Sequence, residues 1–141
     1  VDEDEILHRY GLHPVVEHHD QVRDLLMAQT RLEGQSQGYG DTEVMKLCCV
    51  QLFHAGVMSD VLTIWRAKSS SWDAFCSIDV QLLCGGGLTE TKAYLLTEGS
   101  DDAAQALDHL HRSEAAGDFA DFSVEKQASS YADYYHRPIR V

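Results

Sequence analysis

Eleven residues from Val50 to Asp60 (VQLFHAGVMSD) have a counterpart thirty residues later, from Val80 to Glu90 (VQLLCGGGLTE). Val, Gln and Leu open both copies, Gly56 aligns with Gly86, and an apolar–hydroxyl–acid triplet closes each one: Met58-Ser59-Asp60 and Leu88-Thr89-Glu90. An apolar run, then a glycine, then a hydroxyl-bearing residue is the order in which one helix stops and the next is capped. Each copy therefore reads as the bend of a helical hairpin. Such a unit buries its apolar face only by stacking on a neighbour, which constrains the fold more than any other feature of the chain.

Helix starts are expected near residues 41, 59, 72, 89 and 101, with stops at Gly56, Gly86 and Gly117. The resulting period of about 30 residues, from Asp41 to Gly117, resembles the HEAT-like class of α-helical hairpin repeats. The resemblance implies an all-α fold of six to eight short helices in stacked antiparallel hairpins. The third unit is degraded and the first forty residues do not match, so a compact orthogonal bundle is the alternative architecture.

A single domain is expected over residues 1–141. Val1 to Glu5 (VDEDE) reads as an acidic lead-in that frays. A short helix from Ile6 to Tyr10 stops at Gly11, and Pro14 suits the first turn of a second helix reaching about Leu32. Val15, Val22, Leu25, Leu26 and Gln29 would lie on or near its apolar face, and Glu33-Gly34 would close it. After the loop Gln35–Gly40, Asp41 or Thr42 caps a third helix, Ser59 a fourth, and one of Ser69, Ser70 and Ser71 a fifth. This fifth helix, Trp72 to Cys84, is apolar on almost every side and is expected in the middle of the packing. Thr89 should cap the sixth helix, Ser100 the seventh and Ser123 the last, leaving residues 136–141 as a loose tail.

Acidic residues number 23 against 11 Lys and Arg, a net charge of −12. From Glu98 to Glu125 there are eight acids against Arg112 alone. A field of that sign repels nucleic acid and anionic membranes and favours a basic partner; the bland reading is a solvated surface that keeps the chain soluble. No apolar run approaches the ~20 residues of a membrane span. Cys48, Cys49, Cys76 and Cys84 show no zinc-ligand spacing and lie in apolar patterns, so buried thiols in a reducing, cytoplasmic setting are expected.

Asp79 sits inside the most apolar stretch, with Phe75, Cys76, Ile78, Val80, Leu82 and Leu83 for neighbours, which makes it a candidate buried polar group. A buried carboxylate must be paired or hydrogen-bonded, either as a structural acceptor for a helix cap, Trp65, Trp72 or Arg66, or as a general acid–base or recognition group. The eight histidines include no pair at metal-chelating helical spacing in a recognised motif, and Gly85-Gly86-Gly87 follows a helix rather than a strand and lacks the P-loop Lys-Ser/Thr. No metal and no cofactor is expected. Ser69-Ser70-Ser71 reads as a cap, and nothing beside Cys48-Cys49 would lower a thiol pKa. Tyr131, Tyr134 and Tyr135 beside Arg137 and Arg140 either pack back on the helices or form an interface hot spot.

These features favour a non-enzymatic, acidic protein-binding module of adaptor, chaperone-like or immunity/inhibitor-like character. Its contact residues would be Asp101, Asp102, Asp108, Glu114, Asp118 and Asp121, helped by Tyr131 and Tyr134. The alternatives are a small enzyme or ligand binder with its site around Asp79, and a structural subunit of a larger assembly.

Overall fold

The structure is a computed structural model that describes residues 1–136; of the expected tail, residues 137–141 lie outside the described residues. Those described fold into eight α-helices with no strand among them: α1 (Glu3–Tyr10), α2 (His19–Gln35), α3 (Thr42–Ala55), α4 (Val61–Lys68), α5 (Trp72–Ser77), α6 (Leu88–Glu98), α7 (Asp101–Ala115) and α8 (Val124–Tyr135). Single 3-10 segments, Val16–His18, Met58–Asp60 and Val80–Cys84, lead into α2 and α4 and fill the space between α5 and α6.

The all-α architecture follows from local chemistry that the sequence announces. Asp41 accepts hydrogen bonds from the amides of Glu43 and Val44, Ser71 from Ala74, Ser100 from Ala103 and Ser123 from Lys126, so α3, α5, α7 and α8 each start on a capping side chain. Gly56 ends α3 in the left-handed region, at φ 68°, and its N–H returns to the carbonyls of Leu52 and Phe53.

Helix α3 is the centre of the packing. Val44, Met45 and every residue from Leu47 to Phe53 are buried, and α1, α2, α5 and the Val80–Cys84 segment all rest on it. A helix buried all round belongs at the middle. The sequence places Trp72–Cys84 there instead, and that reading is corrected. Helix α5 ends at Ser77, Ile78 and Asp79 are extended, and a 3-10 turn follows. The cause is Lys68, whose ammonium donates to the carbonyls of Phe75 (2.6 Å) and Ile78 and so takes the place of amides that a continuing helix would bring to them. Trp72 is consequently 70% exposed while Ile78, Leu82, Leu83 and Cys84 are buried.

Other boundaries move for similarly local reasons. The acidic lead-in is a helix start rather than a frayed end: Asp2 caps α1 through the Glu5 amide, and Glu3, Asp4 and Glu5 sit at the positive end of the helix dipole. Pro14 precedes α2 instead of lying in its first turn, and Val15 and Val16 are exposed, while Val22 and Leu26 are buried as expected. Helix α2 runs past Gly34 to Gln35 because Glu33, 1% exposed, folds the following loop back on the helix: its carboxylate accepts from the amides of Gly38 and Gly40 and from the Ser71 hydroxyl. Helix α6 begins at Leu88, with Gly87 rather than Thr89 at its start. Helix α4 follows a 3-10 turn, to which Arg23 of α2 is tied by a two-pronged ion pair with the buried Asp60 (2.7 and 3.1 Å).

The two copies of the sequence motif differ in local form, the first ending an α-helix and the second forming a 3-10 turn. They nevertheless lie directly against each other. Gly85 abuts the Phe53 backbone, and Gly86 faces Met58 and the Gly56 carbonyl.

Candidate functional site

The break after α5 decides how Asp79 is presented. In a continuous helix among apolar neighbours it would be buried. In the extended link it turns outward, its side chain 39% exposed, so the expectation of a buried Asp79 is corrected. Its partners come from neither tryptophan and not from Arg66. The buried Tyr131 of α8 donates its hydroxyl to the Asp79 carboxylate at 2.7 Å, and Lys46 of α3 stands 3.7 Å away. Burial and the neighbouring carboxylate hold the Tyr131 phenol well above its ordinary range, so it is a fixed donor.

Two clefts flank this carboxylate. One, of about 350 Å³, is lined by Lys68, Phe75, Asp79, Gln81, His109 and Asp118 among others. The other, of about 300 Å³, includes Glu3, Glu43, Lys46, Cys76, Asp79 and Tyr134. In the first, His109 lies between Trp65 and Phe75, with ring centroids 5.5 and 5.0 Å away. Burial, then Lys68, push its imidazole below the ordinary 6.5 and favour the neutral ring. Lys68 is 4% exposed and its ammonium stands 4.3 Å from the Phe75 ring centroid. Burial lowers its pKa, partly offset by Asp79. In the second, Lys46 lies over the Tyr134 ring at 5.1 Å.

Of the residues singled out from the sequence, Asp79, Asp118, Tyr131 and Tyr134 converge here. The α7 acids do not share one face. At about 100° per residue, Asp101 and Asp108 stand one above the other on the side opposite Ala103, Ala106 and Leu110, which are buried. Asp102 and Glu114 fall on opposite flanks of that buried stripe. Asp102 meets Arg66 of α4 and Glu114 meets Lys92 of α6, both at 2.9 Å. Asp108 pairs with Arg112 one turn on, at 2.6 Å. Asp118 and Asp121 follow in the exposed turn beyond the helix.

Three of the four thiols are buried, and burial pushes Cys48 and Cys84 up to about 12; Cys76 is exposed, contrary to expectation, because α5 ends beside it. None of the buried three is a ready nucleophile. Among the described residues no three His, Cys, Asp or Glu side chains group to hold a metal ion, and no described helix is long and apolar enough to cross a membrane.

Sequence reasoning missed Lys68 and Glu33. Lys68 looked like a cation suited to the end of α4, and Glu33 like part of a helix stop. Their partners lie between 5 and 38 residues away, and no short motif encodes them. No family model, no curated protein and no solved structure matches the chain.

Proposed function

We propose that the chain is a non-enzymatic protein-binding module that engages a basic partner through the outer side of α7 and the turn beyond it. One observation carries the reading: Asp101, Asp108, Asp118 and Asp121 all face solvent on consecutive stretches of chain, with Arg112 the only Lys or Arg in that span. The ion pairs at Asp102, Asp108 and Glu114 do not oppose it. Their acidic side chains are 40–63% exposed, and exposed pairs contribute at most about 1 kcal/mol, so a partner's lysines or arginines can replace the internal ones. A docking face of this kind acts mainly on association rate and is screened by salt. The test is capture from the source cell's lysate at low and high salt, with Asp101→Lys/Asp108→Lys alongside wild type. A stoichiometric basic partner that is lost at high salt and lost with the double variant supports the proposal; retention under both conditions refutes it.

A second reading, a small-ligand site, is favoured by the solvent-reachable Asp79 carboxylate between two clefts of the volume common for small ligands. Its ligand would be polar and would carry a cationic or hydrogen-bond-donating group for Asp79. A ligand screen by thermal shift, repeated on Asp79→Asn, separates this reading from the first, because Asp79→Asn leaves the outer side of α7 intact.

A further inference from the structure

On a chain with a net charge of −12, one groove is rimmed by guanidinium groups. It runs between α2 and α4, has a volume of about 220 Å³, and is lined by Met27, Thr30, Arg31, Thr63 and Arg66. The spacing explains the convergence: Met27, Thr30 and Arg31 lie at i, i+3 and i+4 on α2, and Thr63 and Arg66 at i and i+3 on α4, so each set shares one helix face. Met27 is 40% exposed, an adaptable apolar floor. The Thr30 hydroxyl donates to the Leu26 carbonyl of its own helix at 2.8 Å and has no proton left for a ligand. The charged groups in the lining are the two arginines. Among the described residues Arg31 makes no ion pair with a carboxylate, and Arg66 pairs with Asp102 alone, the two side chains 54% and 43% exposed.

We propose that this groove receives an acidic amphipathic segment of a protein partner, one apolar side chain entering over Met27 while flanking carboxylates pair with Arg31 and Arg66. Charge complementarity selects the occupant. A guanidinium fork matches a carboxylate in two-point geometry, and arginine is favoured where a few residues carry most of the binding. Size selects a side chain over a free small molecule, since the groove is below the ~300 Å³ at which ligand pockets usually begin, yet holds one leucine or phenylalanine. The Asp102 carboxylate acts as an internal competitor for Arg66. This site is separate from the outer side of α7 and calls for a partner surface of the opposite sign.

The test uses two fluorescent synthetic peptides of equal length with the same leucine spacing, one flanked by glutamates and the other by lysines, titrated against the whole chain by anisotropy. The glutamate peptide should bind, should weaken about tenfold with Arg31→Ala and again with Met27→Asp, and should tighten several-fold with Asp102→Asn, which frees Arg66. All three positions are at least partly exposed, and circular dichroism confirms that the variants fold. Hexanoate, a free carboxylate with a short apolar tail, should compete only weakly. No binding of the glutamate peptide, binding indifferent to Arg31→Ala, or hexanoate as effective as the peptide would each overturn the proposal. The lysine peptide reports separately on the acidic surface: its binding should be weakened by Asp101→Lys and Asp108→Lys and not by Arg31→Ala.

Discussion

Gly85 and Phe53 meet backbone to backbone: a β-carbon on Gly85 would stand 2.2 Å from the Phe53 carbonyl oxygen and 2.9 Å from its α-carbon. Contacts that short with backbone atoms cannot be relieved by turning a side chain. Gly85→Ala should therefore push the Val80–Cys84 turn away from α3, at a cost of about 2–3 kcal/mol, typical of an overpacked core. Gly56→Ala is the comparison, since Gly56 has a positive φ but only the Gly85 carbonyl nearby, at 3.6 Å; it should cost roughly 1 kcal/mol. Urea denaturation of the two variants checks the order, and the reverse order would contradict the close approach.

Gly34 is the opposite case. It lies inside α2, and a β-carbon there meets nothing within 4 Å. Gly34→Ala should raise stability by about 0.5–1 kcal/mol, because alanine restricts the unfolded chain and favours the helix. A lowered thermal midpoint would mean that the end of α2 is not helical in solution.

Glu33 binds three donors at once, and removing it leaves two loop amides and a serine hydroxyl without their acceptor. Glu33→Ala should cost about 3 kcal/mol and Glu33→Gln less, since the amide keeps one acceptor oxygen. Burial alone would raise the carboxyl pKa, but the bonds from Ser71, Gly40 and Gly38 outweigh it and hold it below the ordinary 4.5. A depressed folded-state pKa gives stability that is present above about 4.5 and lost as pH falls below it. Comparing wild type with Glu33→Gln from about pH 6 to about pH 3 should show the difference between them shrinking toward the acid end.

How far the sequence discloses this arrangement depends on the range of each interaction. Asp41, Ser71, Ser100 and Ser123 act on amides two or three residues away, so their caps and the helices they start are legible. The interruption at Ser77 is not, because a lysine seven and ten residues upstream reaches across to the carbonyls. Trp72–Cys84 carries apolar residues on almost every side whether it forms one helix or a helix, a link and a 3-10 turn, and composition cannot separate the two. The same ambiguity hid the exposure of Asp79. Its Tyr131 partner is 52 residues distant and stands in the sequence only as one of a cluster of tyrosines.

That pair makes its own prediction. Tyr131→Phe removes the 2.7 Å bond to Asp79 and the 3.2 Å bond from Gln127 while keeping the ring against the core, where Phe53 lies 6.2 Å away. The cost should be about 1–2 kcal/mol, that of a charge-assisted bond at a partly exposed acceptor. In the Asp79→Asn background the same substitution should cost less, and a double-mutant cycle measures the difference. Full additivity would show that the two side chains do not interact in solution.

The joint between α1 and α3 should respond to mild acid. The His54 ring nitrogen Nδ1 lies 2.6 Å from the Leu12 carbonyl, which can only accept, and this fixes the proton on Nδ1. Its Nε2 is buried with no described hydrogen-bond partner, and the His13 ring is stacked on it at 4.0 Å. A second proton would have to go onto that enclosed nitrogen, beside another imidazole. Burial foremost, with His13 adding to it and the Leu12 bond opposing, lowers the His54 pKa below the ordinary 6.5. The unfolded chain then binds the proton more readily than the folded one, so stability is complete above about 6.5 and declines as pH falls below it. His109 is shifted in the same direction and adds to the slope. Urea midpoints measured from about pH 7.5 to about pH 5.5 should fall in wild type, less steeply in His54→Gln, and least in His54→Gln with His109→Gln. Parallel curves for all three proteins would place the acid-sensitive group elsewhere.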